Sequence, residues 1–443
     1  MAEASVKIET DRLLPLTDAA APVPPEAVAA AAAAAVPTTA APLPSASAPS
    51  AGPPPSAPPS VKEDDASPDD DPLKVPDLTG TVWEAIAPAY YAEPGGIPVF
   101  EPTEAQFSDF YRFMLAVEAY GYVAGVIKIT PPAAWTAARR AIIPRCLERV
   151  RVRNPISQEI SSGGLPAGTY QQLNLESRKS YTLQEWANAS RLPRHCKNRP
   201  NKNKHRVRPN KNAPVALAPF TFDVDALGAH YDDATCEALE RAYWRSLSHG
   251  APRYGADMSG TLFDPDADAA NPWNIGKLDN LLTRVQRALP GVNRPYLYFG
   301  MWKATFAWHV EDMDLFSINY IHFGAPKQWY VIPLAQRARF EREAKSFFSG
   351  VAAHCPEFLR HKMSIIHPRH LAARGIRVQK VIQRAGEFIV TFPGGYHQGF
   401  NLGFNGAESV NFALPSWIQV GKQAHYCKCQ DDSVKLDVAG LFE

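Results

Sequence analysis

From Pro295 onward the chain is written in short aromatic and β-branched runs broken by Gly and Pro, and this texture constrains the fold most. Tyr296–Phe299, Asn319–Phe323, Trp329–Ile332 and Phe388–Phe392 have the length and composition of strands. Helical patterning intrudes mainly around Leu334–Phe348. No repeat period is visible. The pattern predicts a small β-barrel or sandwich decorated with helices. Two helices are expected upstream. One spans residues 103–121, capped by Thr103, with Phe107, Phe110, Tyr111, Met114, Leu115 and Val117 on one stripe; the other spans residues 233–247.

Composition divides the 443 residues unevenly. Sixteen of the 41 prolines fall before residue 77, in an Ala-, Pro- and Ser-rich stretch with an acidic end and almost no large apolar residues. Such a segment cannot bury enough surface to offset its ordering entropy, so residues 1–77 are expected to be a disordered tail. All nine tryptophans lie after residue 80, and folded-type sequence begins near Thr79. Residues 191–213 hold nine Lys and Arg and no acid, which predicts an exposed basic loop able to contact a phosphate backbone. The overall charge of +1 argues against a globally basic nucleic-acid binder. Six cysteines are too few for a disulfide scaffold. No signal peptide is expected at the N-terminus, and the longest apolar run, Ala27 to Val36, is too short to span a bilayer. A soluble, intracellular protein with no membrane partner is expected.

The chemistry centres on Trp308-His309-Val310-Glu311-Asp312. On a strand, positions i and i+2 share a face, so His309 and Glu311 would present an imidazole and a carboxylate together. A third ligand would come from a distant strand, and His397 in Phe392-Pro-Gly-Gly-Tyr-His is the candidate. Two His and one carboxylate form the facial triad of non-heme Fe(II) oxygenases, which leaves positions open for a keto-acid and O₂. Lys327 lies nearby, and a buried lysine needs an anionic partner; the distal carboxylate of 2-oxoglutarate would supply it. Asn319, Tyr254 and Thr305 are candidates for further hydrogen bonds. Separately, Cys355-x₅-His361 and Cys427-x-Cys429 could hold Zn²⁺ in a tetrahedral Cys₃His site, with His354 as a rival to His361. Cys146, Cys196 and Cys236 are read as structural.

These residues resemble the JmjC histone lysine demethylases. The resemblance runs through Tyr296-Leu-Tyr-Phe-Gly-Met-Trp-Lys, Phe306-Ala-Trp-His309-Val-Glu311-Asp-Met-Asp, Ser317-Ile-Asn319-Tyr320 and His322-Phe-Gly-Ala-Pro-Lys327. Upstream, Ile97-Pro-Val-Phe-Glu-Pro-Thr103, Gly125-Val-Ile-Lys-Ile129, Pro131-Pro132 and Trp135 look like a JmjN element. Together they point to the subfamily acting on lysine 9 and lysine 36 of histone H3. The resemblance implies an α+β fold: a double-stranded β-helix (a cupin-like jelly-roll barrel) decorated with helices, with the JmjN element packed against it and a C-terminal zinc site. It implies a JmjN region at 78–138, a mixed linker region at 139–262, a JmjC barrel with its zinc site at 263–429 and a tail at 430–443.

Carried over by position, His309, Glu311 and His397 correspond to Fe(II) ligands. Tyr254, Asn319 and Lys327 correspond to 2-oxoglutarate contacts, with Phe306 and Trp329 as the aromatic wall. Gly291, Tyr298, Glu311, Ser409 and Asn411 would form the methyl-lysine pocket, and Asp257 and Asn174 would hold the peptide backbone. Cys355, His361, Cys427 and Cys429 correspond to the zinc ligands. The expected reaction is oxidative demethylation, with O₂ as co-substrate, on the histone H3 tail or nucleosome, in the nucleus. A non-enzymatic chromatin scaffold and a protein hydroxylase of the same barrel class are the alternatives. Val410, beside Ser409, departs from the smaller or hydroxyl-bearing residues of relatives and is expected to alter pocket width.

Overall fold

The computed structural model describes residues 73, 75–93, 95–191, 223, 226–430 and 433–442. The tail expected at 1–77 and the basic loop expected at 191–213 lie almost wholly outside the described residues.

In chain order, β1 (Tyr90–Tyr91), β2 (Pro98–Phe100), α1 (Phe110–Ala124), β3 (Val126–Ile129) and α2 (Ala133–Leu147) come first. Then follow β4 (Arg151–Arg153), β5 (Ile156–Ser161), β6 (Thr169–Glu176), β7 (Ser180–Thr182), α3 (Leu183–Ser190), α4 (Asp233–Arg245) and β8 (Arg253–Ser259). The remainder holds β9 (Tyr296–Gly300), β10 (Thr305–His309), β11 (Phe316–Gly324), β12 (Lys327–Val331), α5 (Arg337–Phe347), α6 (Ser349–His354), β13 (Ser364–Ile366) and α7 (Pro368–Ala373). It closes with β14 (Gln379–Gln383), β15 (Phe388–Thr391), β16 (His397–Asn401), β17 (Asn405–Phe412), α8 (Trp417–Gln423) and α9 (Val438–Phe442).

Two sheets carry the site. The larger runs β1-β2-β3-β15-β11-β17-β9-β8-β5-β6-β13, and the smaller runs β10-β16-β12-β14. From β9 to β12 successive strands alternate between the sheets, and β14 to β17 alternate again, which is the jelly-roll order. The large sheet exceeds the small barrel that the strand runs alone suggest. Its extra strands come from residues 90–129, through β3 paired with β15, and from the middle of the chain, through β8 paired with β9.

The sheets meet where Val126 and Ile389 pack on Trp329, Val331 and Val381. The opposite face of β11 presents Phe316, Ile318 and Tyr320 to Phe110, Phe113, Met114 and Val117 of α1. Thus β11 turns Phe316, Ile318 and Tyr320 to the helix and Ser317 and Asn319 to its other face, the alternation of a strand.

Helix α1 starts later than its sequence stripe suggests. Thr103 Oγ1 accepts from the Gln106 amide ahead of a short 3-10 turn at Gln106–Ser108, whose N-cap residue is Ala105. Asp109 caps α1 itself, accepting from the Arg112 amide at 2.9 Å. Gly125, at φ +86°, ends the helix in the left-handed region that glycine adopts without strain.

Trp273 staples α1 to the barrel. It is fully buried and stacked on Phe107 at 4.1 Å, with Phe110, Phe113 and Phe388 edge-on or tilted around it, and its Nε1 donates to the Phe107 carbonyl at 2.7 Å. Trp273→Ala is expected to cost about 3–5 kcal/mol, from the cavity and the orphaned carbonyl. Denaturant midpoints measure it; a loss under about 1 kcal/mol would refute this role for the ring.

Candidate active site

The structure brings His309, Glu311 and His397 together, with their ligand atoms within 4.8 Å of one another. β10 and β16 pair antiparallel, with His309 opposite His397. The register slips between Phe306 and His309, so a bulge aims the end of β10. β10 ends at His309, and Glu311 follows on extended backbone rather than within the strand. The imidazole centroids lie 4.2 Å apart, and His397 Nε2 is 3.4 Å from Glu311 Oε1. His309 Nδ1 faces the Ala307 carbonyl at 2.7 Å and His397 Nδ1 faces the Gly395 carbonyl at 3.0 Å. These contacts select the tautomers that protonate Nδ1 and leave Nε2 free to ligate.

Burial, and then the neighbouring His397, push the His309 pKa well down, so the ring stays neutral. Burial alone would raise the Glu311 carboxyl, but the hydrogen bond and charge of His397, with His309, hold it below the usual carboxylate range. Asn411 Nδ2 donates to Glu311 Oε2 at 2.9 Å and Thr391 Oγ1 reaches Oε1 at 3.5 Å. Two imidazoles and a carboxylate held ionised suit a divalent first-row metal.

Lys327 opens β12, the strand paired with β16, which carries His397. Lys327 is 1% exposed, and its Nζ bonds only neutral groups among the described residues: Asn401 Oδ1 at 2.8 Å and Tyr254 Oη at 3.3 Å. Burial lowers its pKa to about 7. The buried Oδ1 of Asn319 has no hydrogen-bond partner among the described residues. Phe306 and Trp329 stand 4.8 Å apart, 6.4 and 5.6 Å from the His397 ring. Gln383 orients this wall, accepting from Trp329 Nε1 at 3.0 Å and donating to the Asn319 carbonyl at 3.0 Å. Gly399 lies opposite Phe306 and Trp329 in the strand pairing, and a Cβ there would overlap the Phe306 ring and the Gln328 carbonyl. Thr305 does not join this group: its hydroxyl donates to the Lys303 carbonyl and pairs with Tyr243.

The expected substrate-binding residues are joined only in part. Ser409 Oγ lies 3.3 Å from Ser317 Oγ, and Asn411 touches Glu311. The Asn411 amide donates to the Val292 carbonyl, which sets the Gly291 turn (φ +79°) beside β17. Tyr298 bonds to Asp257, a non-glycine residue at φ +58°, and its ring lies 6.0 Å from Tyr254. Burial and then Asp257 raise the Tyr298 phenol well above its ordinary range. Asn174, on β6, bonds Gln172 of its own strand rather than any member of this group. Val410 corrects an expectation. Strand alternation turns its side chain to the face opposite Ser409 and Asn411, into the apolar cluster with Phe110 and Trp273. There it lines a cavity of about 230 Å³ with Ile275, Leu278, Leu282 and Asn411, so an effect on pocket width would run through Asn411, which bonds Glu311.

The second cluster gathers Cys355, His361, Cys427 and Cys429, again with ligand atoms within 4.8 Å. Cys427 Sγ lies 3.6 Å from Cys355 Sγ and 3.0 Å from Cys429 Sγ; His361 Nε2 is 3.3 and 3.2 Å from Cys427 and Cys429. Burial and neighbouring sulfurs push the Cys355 thiol up to about 12. At Cys427 burial also raises the pKa, but bonds from Cys429, His361 and Cys355 outweigh it and bring it down to about 6. One thiolate forms readily and further ionisation is opposed, a conflict that a dication relieves. His354, the alternative to His361, instead bonds the Gly350 carbonyl of its own helix.

Sequence comparison identifies the class. Residues 296–412 match the JmjC domain (described as "JmjC domain, hydroxylase"), and residues 98–131 match the jmjN domain. The chain therefore carries a jmjN domain and a JmjC domain. It is 41% identical over 347 residues to lysine-specific demethylase 4B of Mus musculus, covering 77% of this chain and 28% of that protein. It is 38% identical to lysine-specific demethylase 4D of Rattus norvegicus and to probable lysine-specific demethylase 4F of Homo sapiens, over 60% and 48% of their lengths. The chain thus spans less than two thirds of each of these relatives. Among the described residues, no helix is long and apolar enough to cross a membrane.

Asn401, Gln383 and Thr391 escaped the sequence reading. Each enters through strand pairing, Asn401 opposite Lys327 and Gln383 opposite Lys327 on its other side, and no local spacing signals that.

Proposed function

We propose that the chain is an Fe(II)- and 2-oxoglutarate-dependent demethylase of trimethyl- and dimethyl-lysine on histone H3, at lysine 9, lysine 36 or both, acting in the nucleus. The observation that carries this reading is a His-Glu-His triad beside a buried lysine that lacks an acidic partner among the described residues. His309, Glu311 and His397 would hold the iron, and Cys355, His361, Cys427 and Cys429 a structural Zn²⁺. Bound iron, with 2-oxoglutarate and O₂, supplies the oxidation of an N-methyl group, with succinate and formaldehyde as products.

The protein's own part is placement. Lys327 and Tyr254 grip the far carboxylate of the keto-acid, Asn319 offers its side-chain Nδ2 as a donor, and Phe306 and Trp329 wall the pocket against water. Tyr298, Glu311, Ser409, Asn411 and the Gly291 carbonyl surround the methylammonium with oxygens, which favour it through many weak C–H···O contacts. Asp257 and Asn174 steady the peptide backbone.

Lys327 makes the cosubstrate test specific. Its pKa in the free protein, about 7, lies below the ordinary 10.5, so the unfolded chain binds more protons across that window. The unliganded fold therefore gains stability as pH rises from about 7 toward 10.5. A carboxylate against Lys327 reverses the shift, so binding 2-oxoglutarate at about pH 8 should take up a proton, approaching one per ligand. Calorimetry in buffers of different ionisation enthalpy reads this uptake, and Lys327→Met should remove it. A buffer-independent enthalpy would refute the contact.

The reading as a whole is tested by mass spectrometry of trimethylated histone H3 peptides incubated with Fe(II), 2-oxoglutarate and ascorbate. Stepwise loss of methyl mass, absent without 2-oxoglutarate, is the expected result. A gain of one oxygen without methyl loss would replace it with a hydroxylase, and no change with the triad metal bound would replace it with a scaffold.

A further inference from the structure

The turn that follows Glu311 is held in an unfavourable backbone conformation. Met313 (φ +54°, ψ +24°) and Asp314 (φ +48°) are consecutive non-glycine residues in the left-handed region. Such strain persists only where surrounding contacts over-determine it. Here they do. The Asp314 carboxylate is buried and sits between two guanidinium groups: Arg360 at 2.7 Å on Oδ1, and both terminal nitrogens of Arg337 at 3.2 Å on Oδ2. Trp417 Nε1 pins the Met313 carbonyl at 3.1 Å.

The two arginines reach different parts of the metal triad. Arg360 also donates to the Glu311 carbonyl at 2.9 Å, so one fork joins the backbone of a ligand to Asp314. It sits next to His361 and bonds Glu357, which pairs in turn with His425. Arg337 packs against the Pro393–Gly395 turn that delivers His397; a Cβ at Gly394 would overlap its guanidinium. Arg337 Nε bonds Glu341, and Glu341 also accepts from Tyr396, the residue before His397. Asp314 therefore stands at the junction between the Glu311 turn and the His397 turn.

We propose that Asp314, clamped between Arg360 and Arg337, is a positioning residue that holds the Glu311 and His397 ligands in register for the metal. It touches no reacting atom. The inference rests on the iron-triad reading above, and its partners act as outer-shell groups, whose loss weakens metal binding without removing a ligand.

The test is Mn(II) titration of the full-length, zinc-loaded chain, followed by electron paramagnetic resonance. Mn(II) prefers oxygen and nitrogen donors and leaves a thiolate site to zinc. Zinc content and melting temperature are read alongside. Asp314→Asn keeps shape and tolerates the left-handed backbone but removes the clamp's one negative charge; Arg360→Lys keeps charge but loses the fork. Each should weaken Mn(II) binding roughly 10- to 100-fold with zinc retained. Arg337→Gln, at a side chain about one-third exposed, provides a milder break if the others fold poorly, and should weaken binding in the same direction. Arg374→Gln, which breaks a peripheral pair with Glu343, should leave it unchanged. Mn(II) affinity within about twofold of the parent in the folded variants, with only the melting temperature lowered, would overturn the proposal. A parent chain whose Mn(II) binding is indifferent to His309→Ala would overturn the triad reading and the proposal with it.

Discussion

His309→Ala is expected to bring methyl-lysine turnover to background while leaving the fold and the zinc content intact. The asymmetry follows from where the ring sits. It is held by one carbonyl, Ala307, and by ring contact with His397, at the open end of β10. Its loss removes few packing contacts, so secondary structure by circular dichroism should be unchanged. The metal site suffers far more. The remaining Glu311 and His397 offer one carboxylate and one imidazole, too few to keep a first-row divalent metal oriented for the oxidation. Alanine also removes a neighbour that lowers the Glu311 carboxyl and is itself kept neutral for ligation. Turnover retained at the parental rate would sink the iron assignment; turnover and zinc lost together would mean that the substitution had unfolded the chain and that His309 supports structure first.

The parts of this site legible in the sequence are those where function compresses into short spacing. His309 and Glu311 share a face because they are two residues apart, and His397 announces itself by following an apolar strand and a Pro-Gly-Gly turn. Lys327 was readable as a cation too deep to stand alone. The groups that complete the site were not. Asn401 and Gln383 flank Lys327 across two strand pairings whose partners lie far away in sequence. The bulge between Phe306 and His309 depends on β16, and the clamp on Asp314 depends on arginines 23 and 46 positions away. Val410 shows the converse error. Adjacency to Ser409 suggested that it lines the same pocket, but in a strand adjacency means the opposite face, and the register with β11 decides which. The start of α1 was misplaced for a similar reason. Thr103 and Asp109 are both good caps, and only the intervening 3-10 turn determines which one begins the helix.

Cys427→Ser carries the largest expected structural effect. Three segments converge on this sulfur: the end of α6 through Cys355, the 3-10 turn at Phe358–His361 through His361, and the chain after α8 through Cys429. Cys355, Phe358, Leu359 and Cys427 share one apolar cluster there, with His361 and Cys429 at its solvent edge. Cys427 and Cys355 are buried, but Cys429 and His425 are exposed, so burial alone cannot close this corner. The thiol nearest to ionisation is Cys427, at about 6, and it contacts each of the other three donors. A serine there should release the zinc, leaving Cys355, His361 and Cys429 without a common centre. The stability loss should approach about 4–5 kcal/mol, the range in which loss of a structural metal places a single substitution. Metal analysis and a denaturation curve read the two effects, and Cys236→Ser serves as the control, since that thiol meets the Tyr231 carbonyl and Arg384 rather than the four clustered donors and should leave the zinc in place. A Cys427→Ser chain that still holds one zinc per molecule would remove Cys427 from the site. Zinc lost without a change in stability would make the ion a passenger and shift the closing of this corner to Trp417 and its contacts with the Met313 carbonyl and Phe442.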